Sequence, residues 1–180
     1  GVRTNFRMPD LVSIGLGGGS LIELNNNEVK VGPESVGYKL TSESLIFGGN
    51  KLTASDIAIS QGLANFGDKK KISHLDKKII MKTSQVIKEM IEEGIDRVKL
   101  NKDPVPVILV GGGNILVENN LEGAEEVIIP DYSDVANAIG ASLAQAGGEI
   151  DKIYSYSDIG REKSLELAKL DAIKRAKEAG

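Results

Sequence analysis

The chain contains no cysteine and no tryptophan, a single histidine, and only 4 tyrosines and 3 phenylalanines in 180 residues. Without cysteine there can be no disulfide framework, no thiol nucleophile and no cysteine-ligated zinc or iron–sulfur centre. One histidine cannot build a histidine-rich metal site, and a Ser–His–acid triad would have to run through His74. So few aromatics leave little for a base-stacking platform. Positive charge is short as well. There are 22 Lys and Arg against 26 Asp and Glu, a net charge of −4, where a nucleic-acid partner would favour a basic face. No apolar run approaches the roughly 20 residues that span a bilayer, and Gly1-Val2-Arg3-Thr4 lacks the apolar region of a signal peptide. These absences suggest a cytoplasmic protein with no nucleic-acid or membrane partner. The first residue is not Met, so the chain reads as a piece cut from a longer one.

Glycine, by contrast, is in excess at 21 residues, well above the usual level of about 7%. Two clusters follow apolar, β-rich runs. Leu11–Leu16 leads into Gly17-Gly18-Gly19-Ser20, and Val107-Ile108-Leu109-Val110 leads into Gly111-Gly112-Gly113-Asn114. Backbone amides without Cβ atoms can close on a phosphate or nucleotide, and ligands of open α/β sheets sit at strand carboxyl ends. Tight turns are the plainer explanation of any one cluster.

The other elements alternate. Leu11–Leu24 reads as a strand bent at the glycines, and Asn25-Asn26-Asn27 as a hairpin turn into Glu28–Val31. A helix opens after Leu52, capped by Thr53 or Ser55. Leu75, Ile79, Ile80, Val86, Ile87, Met90, Ile91 and Ile95 recur at spacings of three and four, predicting a helix over about 73–98. The apolar run 107–110 suits a strand covered on both faces. Val127–Ile129 is a further strand, and Ser133 caps a small-residue helix running to Ala144. Ile150–Tyr156 reads as a strand and 161–179 as a charged helix. The sum is one α/β domain, a mixed sheet flanked by helices on both faces.

A dinucleotide-binding βαβ unit is one alternative, with Gly111–Gly113 as its loop and Asp131 as its ribose acid. Against it, the loop lacks a third, spaced glycine, and 114–124 offers little helix. No Walker-type Gly-Lys-Ser/Thr occurs.

Several motifs in order resemble the hydantoinase/oxoprolinase family, the A subunits of ATP-dependent hydantoin hydrolases and their acetone carboxylase relatives. They are Leu11–Ser20 with its Gly-x-Gly-Gly-Gly-Ser, Val31-Gly32-Pro33-Glu34-Ser35, Leu52-Thr53-Ala54-Ser55-Asp56, Val110–Gly113, Val135–Ala141 and Gly148–Asp151. The resemblance implies part of an actin-like (ribonuclease H-like) ATPase lobe. It implies ATP and Mg as cofactors, and opening of a hydantoin or 5-oxoproline ring after phosphorylation of the amide oxygen. Gly111, Gly112, Gly113 and Asn114 would form the adenosine loop beside the helix over 133–146. Gly17, Gly18, Gly19 and Ser20 would line the cleft, and Asp56 would meet substrate or metal. Partners would be a cyclic amide substrate, a second hydantoinase subunit, and further copies of the chain. The family's two Asp-x-Gly-Gly-Thr phosphate hairpins are absent and are expected upstream of residue 1. An isolated chain would therefore be inactive. A non-catalytic assembly or regulatory module on the same fold is the second reading.

The remaining candidates have plainer explanations. An acid at a helix start, as at Asp56, is favoured by the helix dipole alone. His74 reads as a solvated side chain, Lys69-Lys70-Lys71 as a solvated charge run, and Asp131 and Asp134 as servants of the helix after them. Asn114 could meet a nucleotide or cap a turn, and Ser20 needs no ligand in a glycine turn.

Overall fold

The computed structural model describes residues 11–25, 28–143 and 147–179. The chain forms two compact units, Gly1–Ala136 and Asn137–Gly180.

In the first unit, β1 (Ser20–Asn25) pairs antiparallel with β2 (Glu28–Ser35), setting Ile22 opposite Val31 and Asn25 opposite Glu28. This is the predicted hairpin; Asn26 and Asn27 of its turn lie outside the described residues. The strand starts later than the apolar run suggests. Leu11–Leu16 carries no strand, because the chain turns at the glycines before pairing begins. The Ser20 amide donates to the Gly17 carbonyl at 3.0 Å, and the Gly17 amide donates to Ser20 Oγ at 2.9 Å. Ile14 reaches α3 (Lys77–Val98), its Cδ1 lying 3.7 Å from where a Cβ on Gly94 would stand.

A short helix, α1 (Leu40–Glu43), and a 3-10 turn at Leu45–Phe47 lead to α2 (Ala54–Gln61). Thr53 is the N-cap of α2, and Gly62, in the left-handed region, ends it. α3 begins at Lys77 rather than near 73, because the Asp76 carboxylate accepts from the Lys78 amide at 2.8 Å and caps the helix there. Residues 69–72 form a separate 3-10 turn. The first core joins Ile22 and Val31 of the hairpin, Ala54, Ile57 and Ala58 of α2, Ile87 of α3, and Leu116. A smaller core holds Ile46, Ile59 and Ile72, with Phe47 and Phe66 stacked at 5.9 Å.

β3 (Val105–Ile108) and β4 (Ala124–Ile128) form a parallel pair. Among the described residues the expected single mixed sheet is instead two separate two-stranded sheets, one antiparallel and one parallel, because no ladder joins the hairpin to β3 and β4. Sequence led to the expectation of cover on both faces of 107–110. Ile108 is 63% exposed and Val110 52%, so only the Val107 and Leu109 side is partly covered.

α4 (Ala136–Leu143) crosses from one unit into the other. None of its residues is buried, so the close packing expected of Ala136, Ala138, Gly140 and Ala141 is not formed. The predicted end of this helix, at 144–146, lies outside the described residues. In the second unit, the strand expected at Ile150–Tyr156 is not formed. Residues 147–155 are irregular, followed by α5 (Tyr156–Ile159) and α6 (Arg161–Ala179). The backbone at Gly148 lies directly on α6, where a Cβ would strike the Ala172 carbonyl, and no neighbouring strand is there to pair with it.

Candidate functional site

The first glycine cluster is held in place by its contacts. The Ser55 amide donates to the Gly18 carbonyl at 2.9 Å, docking the loop on the first turn of α2, and the Val36 amide donates to the Gly19 carbonyl at 3.0 Å. A Cβ on Gly18 would stand 2.8 Å from Ser55 Oγ, and one on Gly19 2.8 Å from Ser35 Oγ. A Cβ on Gly15 would stand 2.6 Å from the Cβ of Pro33. These are close approaches that only glycine permits. Gly17 is different, with nothing within 4 Å of its missing side chain. Ser20 is buried, and its hydroxyl is engaged within the turn.

Asp56 sits in the first turn of α2, with none of its surface exposed. One carboxylate oxygen accepts from the Ile46 amide at 2.7 Å. The other accepts from the Thr53 amide at 2.7 Å and the Thr53 hydroxyl at 2.8 Å. The carboxylate closes a capping box with Thr53 and pins the 3-10 turn at Leu45–Phe47 to α2. With both oxygens engaged and the group sealed from solvent, it positions the backbone around it and meets no open surface.

The second cluster is open. Gly111 has φ +83, so glycine is favoured there by conformation. Gly112 and Gly113 have no such requirement, and at all three positions nothing lies within 4 Å of an added Cβ. They begin the 3-10 turn Gly112–Leu116. The loop is tied to Ser133, whose carbonyl accepts from the Gly111 amide at 2.6 Å and whose hydroxyl meets Asn114 Nδ2 at 3.3 Å. Sequence cast Ser133 as a helix cap; in the structure it anchors this loop. No α-helix lies between β3 and β4. The helix N-terminus that a dinucleotide-binding βαβ unit would offer to a pyrophosphate is therefore missing.

The segment just after the second cluster reaches the first. Ile115 Cδ1 lies 3.9 Å from the Cβ position of Gly18, and Leu116 enters the core formed by α2 and the hairpin. A polar tie supports the segment from behind. Ser84 Oγ of α3, 8% exposed, lies 2.9 Å from Gln61 Oε1 and 3.0 Å from Glu118 Oε1. One hydroxyl proton cannot serve two acceptors. The consistent arrangement turns the Gln61 amide so that its NH2 donates to Ser84, which donates to Glu118. Nothing in the sequence pointed to Ser84, Gln61 or Glu118, because their separations are long and their types ordinary. His74, Lys69, Asp131 and Asp134 are exposed.

Residues 1–65 match the hydantoinase/oxoprolinase family. That match spans the N-terminal third of the chain and marks a similarity to the family over those residues. No curated protein matches it. Among solved structures, a nucleotide-free acetone carboxylase, from work on the mechanism of ATP-dependent acetone carboxylation, is similar with a TM-score of 0.64 and 16% identity. The likeness covers 93% of this chain and 30% of the carboxylase chain. It establishes the fold as the α/β, actin-like class, with small sheets flanked by helices. Gly17–Ser20 and Asp56 lie inside the matched residues, and Gly111–Asn114 lie beyond them. No helix among the described residues is long and apolar enough to cross a membrane. Nor does any group of three or more His, Cys, Asp or Glu among them form a metal-holding cluster.

Proposed function

We propose that this chain supplies the adenosine side of the cleft in an ATP-dependent enzyme that opens a cyclic amide such as a hydantoin or 5-oxoproline. The observation that carries this reading is the contrast between the two kinds of glycine. Gly15, Gly18 and Gly19 are glycine because neighbours occupy the side-chain space. Gly112 and Gly113 face empty space without a left-handed backbone. A segment that leaves its own backbone bare next to open volume suits a flat ligand lying against it.

In this reading Gly111, Gly112 and Gly113 form the floor under the adenosine. Asn114, already turned toward Ser133, holds the loop and offers its amide to the ribose or base. Gly17 contributes the nearby open backbone of the first cluster. Bound ATP supplies the phosphoryl group that activates the amide oxygen of the ring. Asp56 acts at one remove, keeping the start of α2 and the Gly18 loop in register. Cytoplasmic location, a second subunit and self-association belong to the same proposal.

Calorimetric titration with ATP and with NAD tests it. ATP should bind with a favourable signal, NAD should not, and Gly112→Val should remove ATP binding while leaving the far-ultraviolet circular dichroism unchanged. Binding of NAD without ATP would overturn the assignment.

A further inference from the structure

The net charge is −4, yet residues 68–78 carry five lysines against two aspartates. Sequence gives no reason to treat Lys69 as more than solvated charge. The fold sets it beside a groove. Lys69 and Lys77 stand at the rim of a cavity of about 400 Å³, within the usual range of small-molecule sites. Its floor is apolar, formed by Ile59, Ile72, Leu75 and Ile80; Ile59 is 1% exposed and Ile72 4%. Neither rim lysine makes an ion pair among the described residues. Their acidic neighbours, Asp68 and Asp76, keep their charge but cap the turns beside them, accepting from the Lys70 and Lys78 amides and pairing with neither rim lysine. Lys71 is committed to the Phe47 carbonyl at 3.0 Å.

The opposing influence is the carbonyl end of α2, because Gln61 and Gly62 also line the groove. That end is worth about half a unit of negative charge, and together with the carboxylates of Asp68 and Asp76 it stands against the five lysines of 68–78. The field in the groove is therefore positive over an apolar floor. We infer that the groove between α2, the 69–72 turn and the start of α3 binds a small amphiphilic anion. The anionic head, a carboxylate or phosphate monoester, sits between Lys69 and Lys77, and an aliphatic or ring body lies on Ile59, Ile72 and Ile80. None of these residues belongs to the glycine loops, so the site is independent of the nucleotide proposal.

The test is methyl NMR on the full 180-residue chain, with octanoate, octyl phosphate, octanol and octylamine as probes. Octanoate or octyl phosphate should shift the methyls of Ile59, Ile72 and Ile80 with a saturable curve, and whichever binds tighter names the head group. The double variant Lys69→Gln/Lys77→Gln should weaken that binding about fivefold, the scale of two partly exposed charge contacts. Its methyl spectrum away from the groove should remain unchanged, showing that the fold is intact. Octanol or octylamine binding as tightly as the anions, shifts confined to other methyls, or no saturation by either anion would each overturn the proposal.

Discussion

Replacing Asp56 by Asn keeps the shape of the side chain and removes the charge that three donors share. One of the two oxygens becomes an NH2 facing donors already aimed at it. The loss of one or two charge-assisted bonds in a sealed site should cost roughly 2–4 kcal/mol, read as a lower midpoint in urea unfolding. ATP binding by the fraction still folded should be unaltered. A loss of binding with the midpoint unchanged would instead make Asp56 a ligand group. The glycines divide on the same physical ground. A Cβ at Gly19 meets Ser35 Oγ at 2.8 Å and both the Gly37 amide nitrogen and Val36 Cγ2 at 3.3 Å. Gly19→Ala should therefore destabilise by roughly 1–3 kcal/mol through overpacking. Gly112→Ala meets nothing and should leave the thermal midpoint within a degree or two, because its cost is set by the ligand alone. The equal runs Gly17-Gly18-Gly19 and Gly111-Gly112-Gly113 look alike as strings. What surrounds them makes one a packing joint and the other an open floor.

Among the elements, α3 shows how a periodic stripe becomes a scaffold. Its apolar residues were legible as a 3.6-residue repeat, and Ile87 enters the core with Ile80, Val86, Met90 and Ile91 packed around it. Its start was misplaced because Asp76, four residues into the predicted helix, is the better cap. The polar Ser84 on the same helix left no signal, since it joins Gln61 and Glu118 across separations of 23 and 34 residues. Ser84→Ala would strand a carboxylate and an amide and should cost roughly 1–3 kcal/mol. Ser84→Thr, which keeps the hydroxyl, should recover part of that. Differential scanning calorimetry of the two variants measures it, and equal midpoints for both and the parent would remove the tie from the account. The strand expected at Ile150–Tyr156 failed for a different reason. Alternation can propose a strand, but the ladder needs a neighbour, and here the backbone at Gly148 rests on α6 instead.

Across the whole molecule, burial is uneven. Every buried hydrophobic residue among those described lies between Ile22 and Leu121, and the second unit contributes only Ser164 to the buried set. α6 leaves Leu165, Leu167, Leu170 and Ile173 between 39% and 57% exposed. Helices draw most of their stability from packing an apolar face, and poorly buried segments open first. Amide hydrogen exchange should therefore be faster in α6 than in α2 and the middle of α3, by at least tenfold. Equal protection would mean that α6 is covered in solution.

The sequence by itself determined the α/β class, the two glycine clusters, the hairpin and the long amphipathic helix. Each is a local matter of side-chain period, missing Cβ atoms or capping chemistry, and the motif order also carried the family resemblance. Only the tertiary structure decided which glycines are packed and which lie open, that Asp56 is spent on three internal donors, and that Lys69 and Lys77 flank one groove. Those outcomes depend on which surfaces meet across tens of residues. Neither composition nor spacing encodes that directly, because the same glycine, aspartate or lysine is stable in either setting until its neighbours are placed.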